Sequence, residues 1–559
     1  MNKKTPGERI FLAWYLAGHL VVFLGLSKIS TAAHFAKYPL YAVWGLGILC
    51  LWLGKPSFLK LPRHPANTPM LTLALYFCIS IFFHPSKYLF REAEVLSFIT
   101  ISIIIYIGSC FVKRYEKICL FFIINICTLL SIYGILQYLD KDFLSGWNSR
   151  DAISTFANQN FFGQFLVAII PITAGFMLLA RNLANPIYWG TSLAIQLAAL
   201  VITCYRTGYL AIILILVLSL FYACFFHFQK LKSLSFKISI LLAIVFVVTL
   251  TANTSGFRSI SVYSQLKTIF ESVEITESFR TITWRGTMDM VLASPLIGHG
   301  AGLFINYYPL YDVGTETGQY KDSRTKQTHN EYLQTASELG IIGVGIIIWI
   351  FVSGWTLMMR DRKSELNVFK VLSWAGIFFT AVFSFTFHLP TPLALALMLL
   401  AWSSPVDFQY EYSYRSLRTA FVIVVSLFVC VIFMKPFVAD IEYNYGNAYK
   451  LQNAFLDAEQ HYKKSINLQP THSDARNNLG LALIQQSKYE EAMRQYETIK
   501  KLSPYSFYCR VNYAVEFLRK NELGNAFIES RAGLKLSPHH EKIIELYKYI
   551  LNRYEAEKR

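Results

Sequence analysis

Long apolar runs restrict what this chain of 559 residues can fold into. Most of these runs are about 17–22 residues long, the length that a helix needs to cross the hydrocarbon core of a bilayer, and two of them, 69–83 and 389–403, are shorter. About thirteen runs are present, at residues 11–27, 39–54, 69–83, 95–112, 117–138, 161–180, 187–204, 208–227, 235–253, 339–358, 367–387, 389–403 and 417–436. We therefore predict an all-α polytopic membrane bundle of about 12–13 spans, with a helical loop and a C-terminal solenoid outside the membrane.

Lysine and arginine residues in the short loops predict the orientation of this bundle. They precede the first run and follow the second, fourth, eighth and tenth runs: Lys3, Lys4, Arg9; Lys55, Lys60, Arg63; Lys113, Arg114, Lys117; Lys230, Lys232, Lys237; Arg360, Arg362, Lys363. All of these residues fall on one side of the membrane if the N-terminus is cytoplasmic. The net charge of +17 therefore reflects membrane orientation and does not imply a nucleic-acid partner. The basic N-terminus has no clear small-residue cleavage site, which favours a retained first helix over a signal peptide.

The same pattern divides the chain into four parts. These are N-terminal membrane helices (1–253), a large polar loop (254–338), C-terminal membrane helices (339–437) and a repeat domain (438–559). With a cytoplasmic N-terminus, the large loop and the repeat domain lie outside the cytoplasm. The short loops around Arg206 and His388 lie on that outer face as well.

The repeat domain is polar, helical in period and internally repeated. Small residues and prolines recur every 34 residues: Gly446, Gly480, Ala514; Ala458, Ala492, Ala526; Pro470, Pro504, Pro538. This period is typical of tetratricopeptide repeats, and it predicts an α-solenoid with repeats near 439–472, 473–506 and 507–540 and a capping helix at 541–555. The third repeat is the most degenerate, with Ser530 where the others have Tyr462 and Tyr496. Such an array either binds a protein or peptide or braces a neighbouring domain, and the sequence leaves both alternatives open.

A histidine at the boundary between the large loop and the tenth run is the main candidate for catalysis. It opens the run His329-Asn330-Glu331-Tyr332-Leu333-Gln334-Thr335-Ala336-Ser337-Glu338-Leu339-Gly340-Ile341-Ile342-Gly343. At that boundary a base can deprotonate a group on a lipid-tethered substrate, whereas a lone histidine would more often cap or pack at a helix start. Asn330, Gly340 and Gly343 complete the pattern His-[Asn/Ser/Gln]-x9-Gly-x-x-[Gly/Thr/Tyr]. In this pattern the chain resembles the O-antigen ligase and polymerase superfamily of bacterial membrane glycosyltransferases.

Two further segments carry the resemblance, which is specific over about 150–345. Arg280 is followed four residues later by Trp284 and then by Ser294-Pro295-Leu296-Ile297-Gly298-His299-Gly300, which matches the family pattern element by element. Arg206 lies in Thr203-Cys204-Tyr205-Arg206-Thr207-Gly208, where the family has an arginine at the outer end of a helix pair. The alternatives are a snorkelling arginine at Arg206 and an amphipathic surface helix around Arg280.

The resemblance implies a glycan donor on undecaprenyl diphosphate and a metal-independent transfer. Arginine suits such a donor because its planar fork binds phosphate oxygens in pairs and stays charged. We expect His329, Arg280 and Arg206 to be catalytic, with Arg285 as a second candidate beside Arg280. The predicted substrate-binding residues are Asn330, Arg285, Trp284, Asn158, Asn160, Gly298 and Gly300. Asn158 and Asn160 either bind sugar hydroxyls or cap a helix. Gly298 and Gly300 permit a tight turn whose amides can meet a phosphate.

No metal site or cofactor is expected. The nine cysteines include no CxxC and no cysteine–histidine spacing suited to zinc. Asp140-Lys141-Asp142 resembles the metal-binding pair of some membrane glycosyltransferases, but it stands alone and is interpreted as loop charge. The absence of a Gly-Lys-Ser/Thr phosphate loop argues against an ATP-driven pump.

The predicted function is transfer of the glycan to an acceptor at the periplasmic face of a bacterial inner membrane. The acceptor is either the lipid A core, as for an O-antigen ligase in lipopolysaccharide biosynthesis, or a protein, as for an O-oligosaccharyltransferase. A polysaccharide polymerase is the alternative within the family. A non-catalytic membrane scaffold that recruits envelope proteins through the repeats is the alternative from another class.

Overall fold

The computed structural model describes residues 6–24, 37–53, 62–83, 89–143, 152–156, 158–180, 184–226, 279–311, 327–360, 365–408, 435–538 and 540–558. Wherever these ranges cover a predicted span, the span overlaps a helix. Two of the thirteen predicted spans, 235–253 and 417–436, lie outside the described residues apart from 435 and 436.

The described part up to residue 408 is helical apart from one short strand pair. Its helices are α1 (Pro6–Leu24), α2 (Lys37–Leu53), α3 (Asn67–Ile81), α4 (Leu89–Val112), α5 (Glu116–Tyr138), α6 (Gln159–Leu179), α7 (Ala184–Ile202), α8 (Arg206–Phe226), α9 (Phe279–Ala293), α10 (Phe304–Tyr307), α11 (Glu331–Arg360), α12 (Leu366–Ala381) and α13 (Pro390–Ala401). Short 3-10 turns lie at Lys113–Tyr115, Tyr308–Leu310 and Thr386–His388. Two-residue strands β1 (Pro62–Arg63) and β2 (Asp407–Phe408) pair antiparallel.

Several of these helices are long and apolar enough to cross a membrane. In the described ranges they fall in Gly7–Leu24, Glu94–Tyr138, Gln159–Leu179, Asn185–Ile202 and Glu331–Arg360. Other apolar helices are shorter, and α13 has only 12 residues, which rise about 18 Å. Every residue of α13 except Leu393 is buried in the protein. Because other helices surround α13, its length is not set by the thickness of the bilayer.

Helices α6 and α12 lie at the centre of the membrane bundle. α6 packs against α7 and α12, and α12 also packs against α8 and α11. All residues of α6 from Phe161 to Thr173 are buried, as expected for a helix that is apolar on every side.

Two lysines join helix ends at one end of the bundle. Lys113, after α4, donates to the carbonyl oxygen of Trp402 at 2.8 Å. Lys370, near the start of α12, lies 2.7 Å from the Glu116 carboxylate at the start of α5. The starts of α6, α8 and α11 lie at the opposite end, which also holds the candidate site.

The C-terminal part is a solenoid of helix pairs, as the 34-residue period predicts. Its helices are α14 (435–451), α15 (Phe455–Leu468), α16 (Ser473–Gln485), α17 (Tyr489–Leu502), α18 (Phe507–Arg519), α19 (Leu523–Leu536) and α20 (Glu541–Lys558). Each pair turns through a residue with positive φ, at Asn453, Ser487 and Asn521. These three positions are also 34 residues apart, as the repeat requires. Each holds a short polar residue, which tolerates the left-handed conformation of the turn.

Candidate functional site

The start of α11 holds His329 in a left-handed backbone conformation, with φ of 54°. The residues on either side fix it. The Asn330 side chain accepts from the amides of Tyr332 at 3.0 Å and Leu333 at 3.1 Å, which makes it the N-cap of α11. The Thr328 hydroxyl donates to the Asn330 carbonyl oxygen at 2.6 Å. Asn330 was expected to bind substrate, but the structure uses its side chain to cap the helix that presents His329.

Helix α9 lies beside this turn and brings a predicted arginine to it. The indole of Trp284 donates to the Thr328 carbonyl oxygen at 2.9 Å, so Trp284 joins α9 to the residue before His329. Arg280 lies one turn earlier on α9 and interacts electrostatically with His329. Burial, followed by the Arg280 cation, lowers the pKa of His329 to about 4.

The turn between α7 and α8 brings the second arginine to the same place. Burial lowers the pKa of Arg280, Tyr205 opposes this shift, and Arg206 adds to it through repulsion between like charges. Arg206 is the first residue of α8 and is exposed. Tyr205 is buried and lies against Gly163 of α6, where an added Cβ would come within 2.5 Å of its ring. Three segments far apart in sequence therefore place Arg206 and His329 each within electrostatic reach of Arg280.

A sharp kink in α11 packs against the 295–300 segment. Gly340 has φ of 66° and ψ of −172° inside this helix, and a Cβ there would lie 2.0 Å from the carbonyl oxygen of Leu296. A Cβ added at Gly298, whose φ is 71°, would likewise lie 2.3 Å from the backbone of Glu338. The two glycines thus allow backbone-to-backbone contact between the 295–300 segment and α11.

The amides of this turn bond within the protein. The Gly300 amide donates to the Glu338 carbonyl oxygen at 2.9 Å, and the Gly298 amide donates to Ser294 at 3.1 Å. The Glu338 carboxylate accepts from the Gly302 amide at 2.7 Å. The tight turn is present as expected, but its amides are engaged and do not offer the expected phosphate contact.

Other predicted residues lie apart from this cluster or have a structural partner. Asn158 is the N-cap of α6, and its side chain accepts from the Asn160 amide at 2.8 Å; both side chains are exposed. Arg285 is exposed on α9. Asp142 accepts from the Tyr133 hydroxyl at 2.8 Å.

Sequence reasoning missed several polar residues that hold the site together. Gln164 and Glu331 are almost completely buried, and they contact the segment between α12 and α13. A charged or amide residue inside an apolar run is the signal that could have found them, because burying such a group is costly unless it has partners. Their partners are separated by more than 50 residues in sequence and could not be paired from it.

Two parts of the chain match models of known families. Residues 191–348 match the family described as O-antigen ligase. The chain carries an O-antigen ligase domain. Arg206, Arg280 and His329 all lie within this ligase domain, whereas Asn158 and Asn160 precede it. Residues 461–494 match the family described as tetratricopeptide repeat, which confirms the nature of the C-terminal solenoid.

Comparisons with whole proteins add little to the ligase domain. Among solved structures, the crystal structure of the APC/C hetero-tetramer Cut9-Hcn1 matches over 97% of this chain and 99% of that chain, at 13% identity and a TM-score of 0.21. That TM-score is too low to support an argument about the fold. No curated protein matches this chain.

Proposed function

We propose that this protein transfers a glycan from undecaprenyl diphosphate to an acceptor at the periplasmic face of a bacterial inner membrane. The observation that carries the proposal is the electrostatic cluster of Arg206, Arg280 and His329 inside the O-antigen ligase domain. Two cations beside a neutral imidazole suit a reaction in which a diphosphate leaves and an acceptor loses a proton.

The two arginines hold the diphosphate of the donor. Arg206 is exposed and Arg280 is half-buried, so one can meet an arriving donor while the other faces its phosphates in a less polar setting. Their like charges repel in the free protein, and a bound diphosphate removes that repulsion. It also gains negative charge as it leaves, so the arginines stabilise the transition state more than the ground state.

His329 acts as the base. Its lowered pKa of about 4 keeps the imidazole neutral at physiological pH. An anion bound at Arg280 offsets the cation that depresses this pKa, so donor binding makes His329 more basic. The acceptor oxygen or nitrogen attacks the anomeric carbon and passes its proton to His329. The bond to the phosphate oxygen breaks, undecaprenyl diphosphate leaves with the electron pair, and the anomeric configuration inverts.

An apolar cavity suits the lipid part of the donor. It measures about 300 Å³ and lies between α8, α11 and α12. Its lining residues are Leu214, Leu218, Tyr332, Phe351, Trp355, Ala375, Phe378 and Phe379. Tyr332 lies in the first turn of α11, three residues after His329, so the cavity begins near the proposed base. A prenyl chain there would leave its diphosphate close to the arginines.

Three acceptors fit this chemistry. The O-antigen ligase match favours the lipid A core. The tetratricopeptide repeats favour a protein acceptor or partner, since such arrays commonly present a surface to another chain. A growing glycan, as in a polymerase, is the remaining acceptor within the family, and a scaffold role requires no transfer at all.

A glycan-specific blot tests these options with His329→Ala and Arg280→Ala. Extracts of cells carrying the wild-type gene, each variant or no gene are blotted with and without proteinase treatment. A protease-resistant ladder that only the wild type produces supports ligation to lipid A core, and protease-sensitive bands support a protein acceptor. A ladder that collapses to single repeat units supports a polymerase. Met288→Ala, at an exposed position of α9 to which no role is assigned, is the control on the same helix and should retain transfer. Full transfer by His329→Ala would refute the assignment of the base.

A further inference from the structure

A segment between α12 and α13 (384–388) forms one wall of the proposed site. The ring of Phe385 packs edge-on against His329, with centroids 5.4 Å apart. On its other side it packs against Phe161 of α6 at 5.1 Å. Phe385 is only 8% exposed. The imidazole that we assign as the base therefore rests on a ring whose position depends on the backbone of this segment.

Gln164 of α6 holds both neighbours of Phe385. Its amide group donates to the Ser384 hydroxyl at 2.7 Å, and its carbonyl oxygen accepts from the Thr386 hydroxyl at 3.0 Å. Gln164 is 1% exposed. A buried amide that satisfies both of its functional groups on residues i−1 and i+1 fixes the residue between them.

An ion pair fixes the other end of the segment to α11. Nδ1 of His388 lies 2.8 Å from the Glu331 carboxylate, whose side chain is 3% exposed. The second oxygen of Glu331 accepts from the Phe387 amide at 3.4 Å. The Tyr38 hydroxyl of α2 donates to the His388 carbonyl oxygen at 2.6 Å. Glu331 lies two residues after His329, so the same turn of α11 carries the base and holds the wall against it.

We propose that Gln164, Glu331 and His388 are positioning residues, which clamp segment 384–388 so that Phe385 holds the His329 imidazole in its working orientation. This inference rests on the proposed function, because it needs His329 to be the base. It assigns no contact with substrate to the three residues. They act through Phe385, and their loss should reduce turnover without weakening donor binding.

Steady-state kinetics of the full-length protein in detergent test this proposal. The donor is a synthetic polyprenyl diphosphate-linked glycan, and the variants are His388→Ala, Phe385→Ala and their combination. We expect kcat to fall about 10–100-fold in each single variant, as is typical when a catalytic group is misplaced by about 1 Å, with KM for the donor unchanged. Both variants disrupt the same support of the His329 imidazole, so the double variant should be no slower than the slower single variant. Phe385→Tyr keeps the ring and should restore most of the rate.

The repeat domain supplies a matched control. His461 and Glu442 form a pair of similar length, 2.7 Å, far from His329 in sequence, and His461→Ala should transfer at the wild-type rate. Wild-type kcat in His388→Ala, or additive losses in the double variant, would overturn the proposal.

A second readout separates this inference from the proposed function. The rate at which diethyl pyrocarbonate modifies His329, followed by peptide mass spectrometry, does not depend on glycan transfer. It should rise in His388→Ala and Phe385→Ala and stay unchanged in His461→Ala. If the modification rate rises in the variants while wild-type protein transfers no glycan, the positioning role is supported and the proposed function is refuted. If wild-type protein transfers glycan and the modification rate does not change, the clamp is wrong.

Discussion

Glycine serves different purposes at the kink of α11 and in the solenoid. At the kink of α11, an added Cβ at Gly340 would meet backbone atoms of Leu296 at 2.0 Å, in a residue whose φ is positive. In the solenoid, Gly480 has ordinary helical backbone, and its added Cβ would meet the side chain of Tyr496 at 2.7 Å. The kink of α11 thus uses glycine to shape the backbone, whereas the solenoid uses glycine to make room for a ring.

The two kinds of glycine contact differ in whether a second substitution can compensate for the loss of the glycine. A ring and a glycine form a pair that can change together, and the third repeat shows such a change, with Ala514 and Ser530 in place of glycine and tyrosine. No side-chain change on the other partner can relieve a clash between two backbones. We therefore expect substitutions at the kink to have larger and less reversible effects than those in the solenoid.

Replacing Gly340 with alanine should have the largest effect. At φ of 66° and ψ of −172°, a backbone conformation that essentially only glycine adopts, alanine costs about 1–3 kcal/mol, and overpacking against a fixed neighbour adds about 1–3 kcal/mol. We expect a lower unfolding temperature in detergent and loss of glycan transfer. Gly345→Ala is the control on the same helix, because an added Cβ there meets no atom of the described residues within 4 Å beyond its chain neighbours and its own helix backbone. Equal stability of the two variants would contradict the backbone contact.

The sequence predicts the fold more completely than it predicts the site. Hydropathy finds spans because each depends only on its own residues, and the 34-residue period finds the solenoid for the same reason. The motif around His329 identifies the base candidate, but it assigns Asn330 to substrate, whereas its side chain caps α11. The link from Gln164 to Ser384 crosses 220 residues, and no local pattern in either segment records it.

Replacing Gly480 in the solenoid should have the next largest effect on stability, and a second substitution at Tyr496 should partly reverse it. Gly480→Ala should cost about 1–3 kcal/mol because Tyr496 is fully buried and must move, partly offset by the higher helix propensity of alanine. The double variant Gly480→Ala, Tyr496→Ser copies the third repeat and should be more stable than the sum of the two single changes. Hydrogen exchange of α16 and α17 in the full-length protein measures each variant. Purely additive losses would mean that the ring and the glycine are not coupled.

The ion pair between His388 and Glu331 predicts that the stability of the membrane part depends on pH. Burial alone would lower the pKa of His388, but Glu331, followed by Glu338, raises it to about 9. Among the described residues, the charged and titratable groups that face His388 are these two carboxylates of α11 and the phenol of Tyr38, which donates to the His388 carbonyl oxygen. Because the folded pKa lies above the unfolded value of 6.5, the pair's contribution to stability is complete below about pH 6.5 and is lost as pH rises through about 9. The unfolding temperature of His388→Gln should lack this decline, and an identical decline in both proteins would assign it to other groups.

The smallest effect concerns Asn158 and decides between a cap and a sugar contact. Asn158→Ala should cost about 1 kcal/mol of local helix stability, seen as faster hydrogen exchange in the first turn of α6. Asn158→Ser keeps a capping oxygen and should restore slow exchange. If Asn158 serves only as a cap, both variants transfer glycan at the wild-type rate. A loss of transfer in Asn158→Ser with normal exchange would instead place this side chain against the glycan, beside the Phe161 ring that supports the wall of the site.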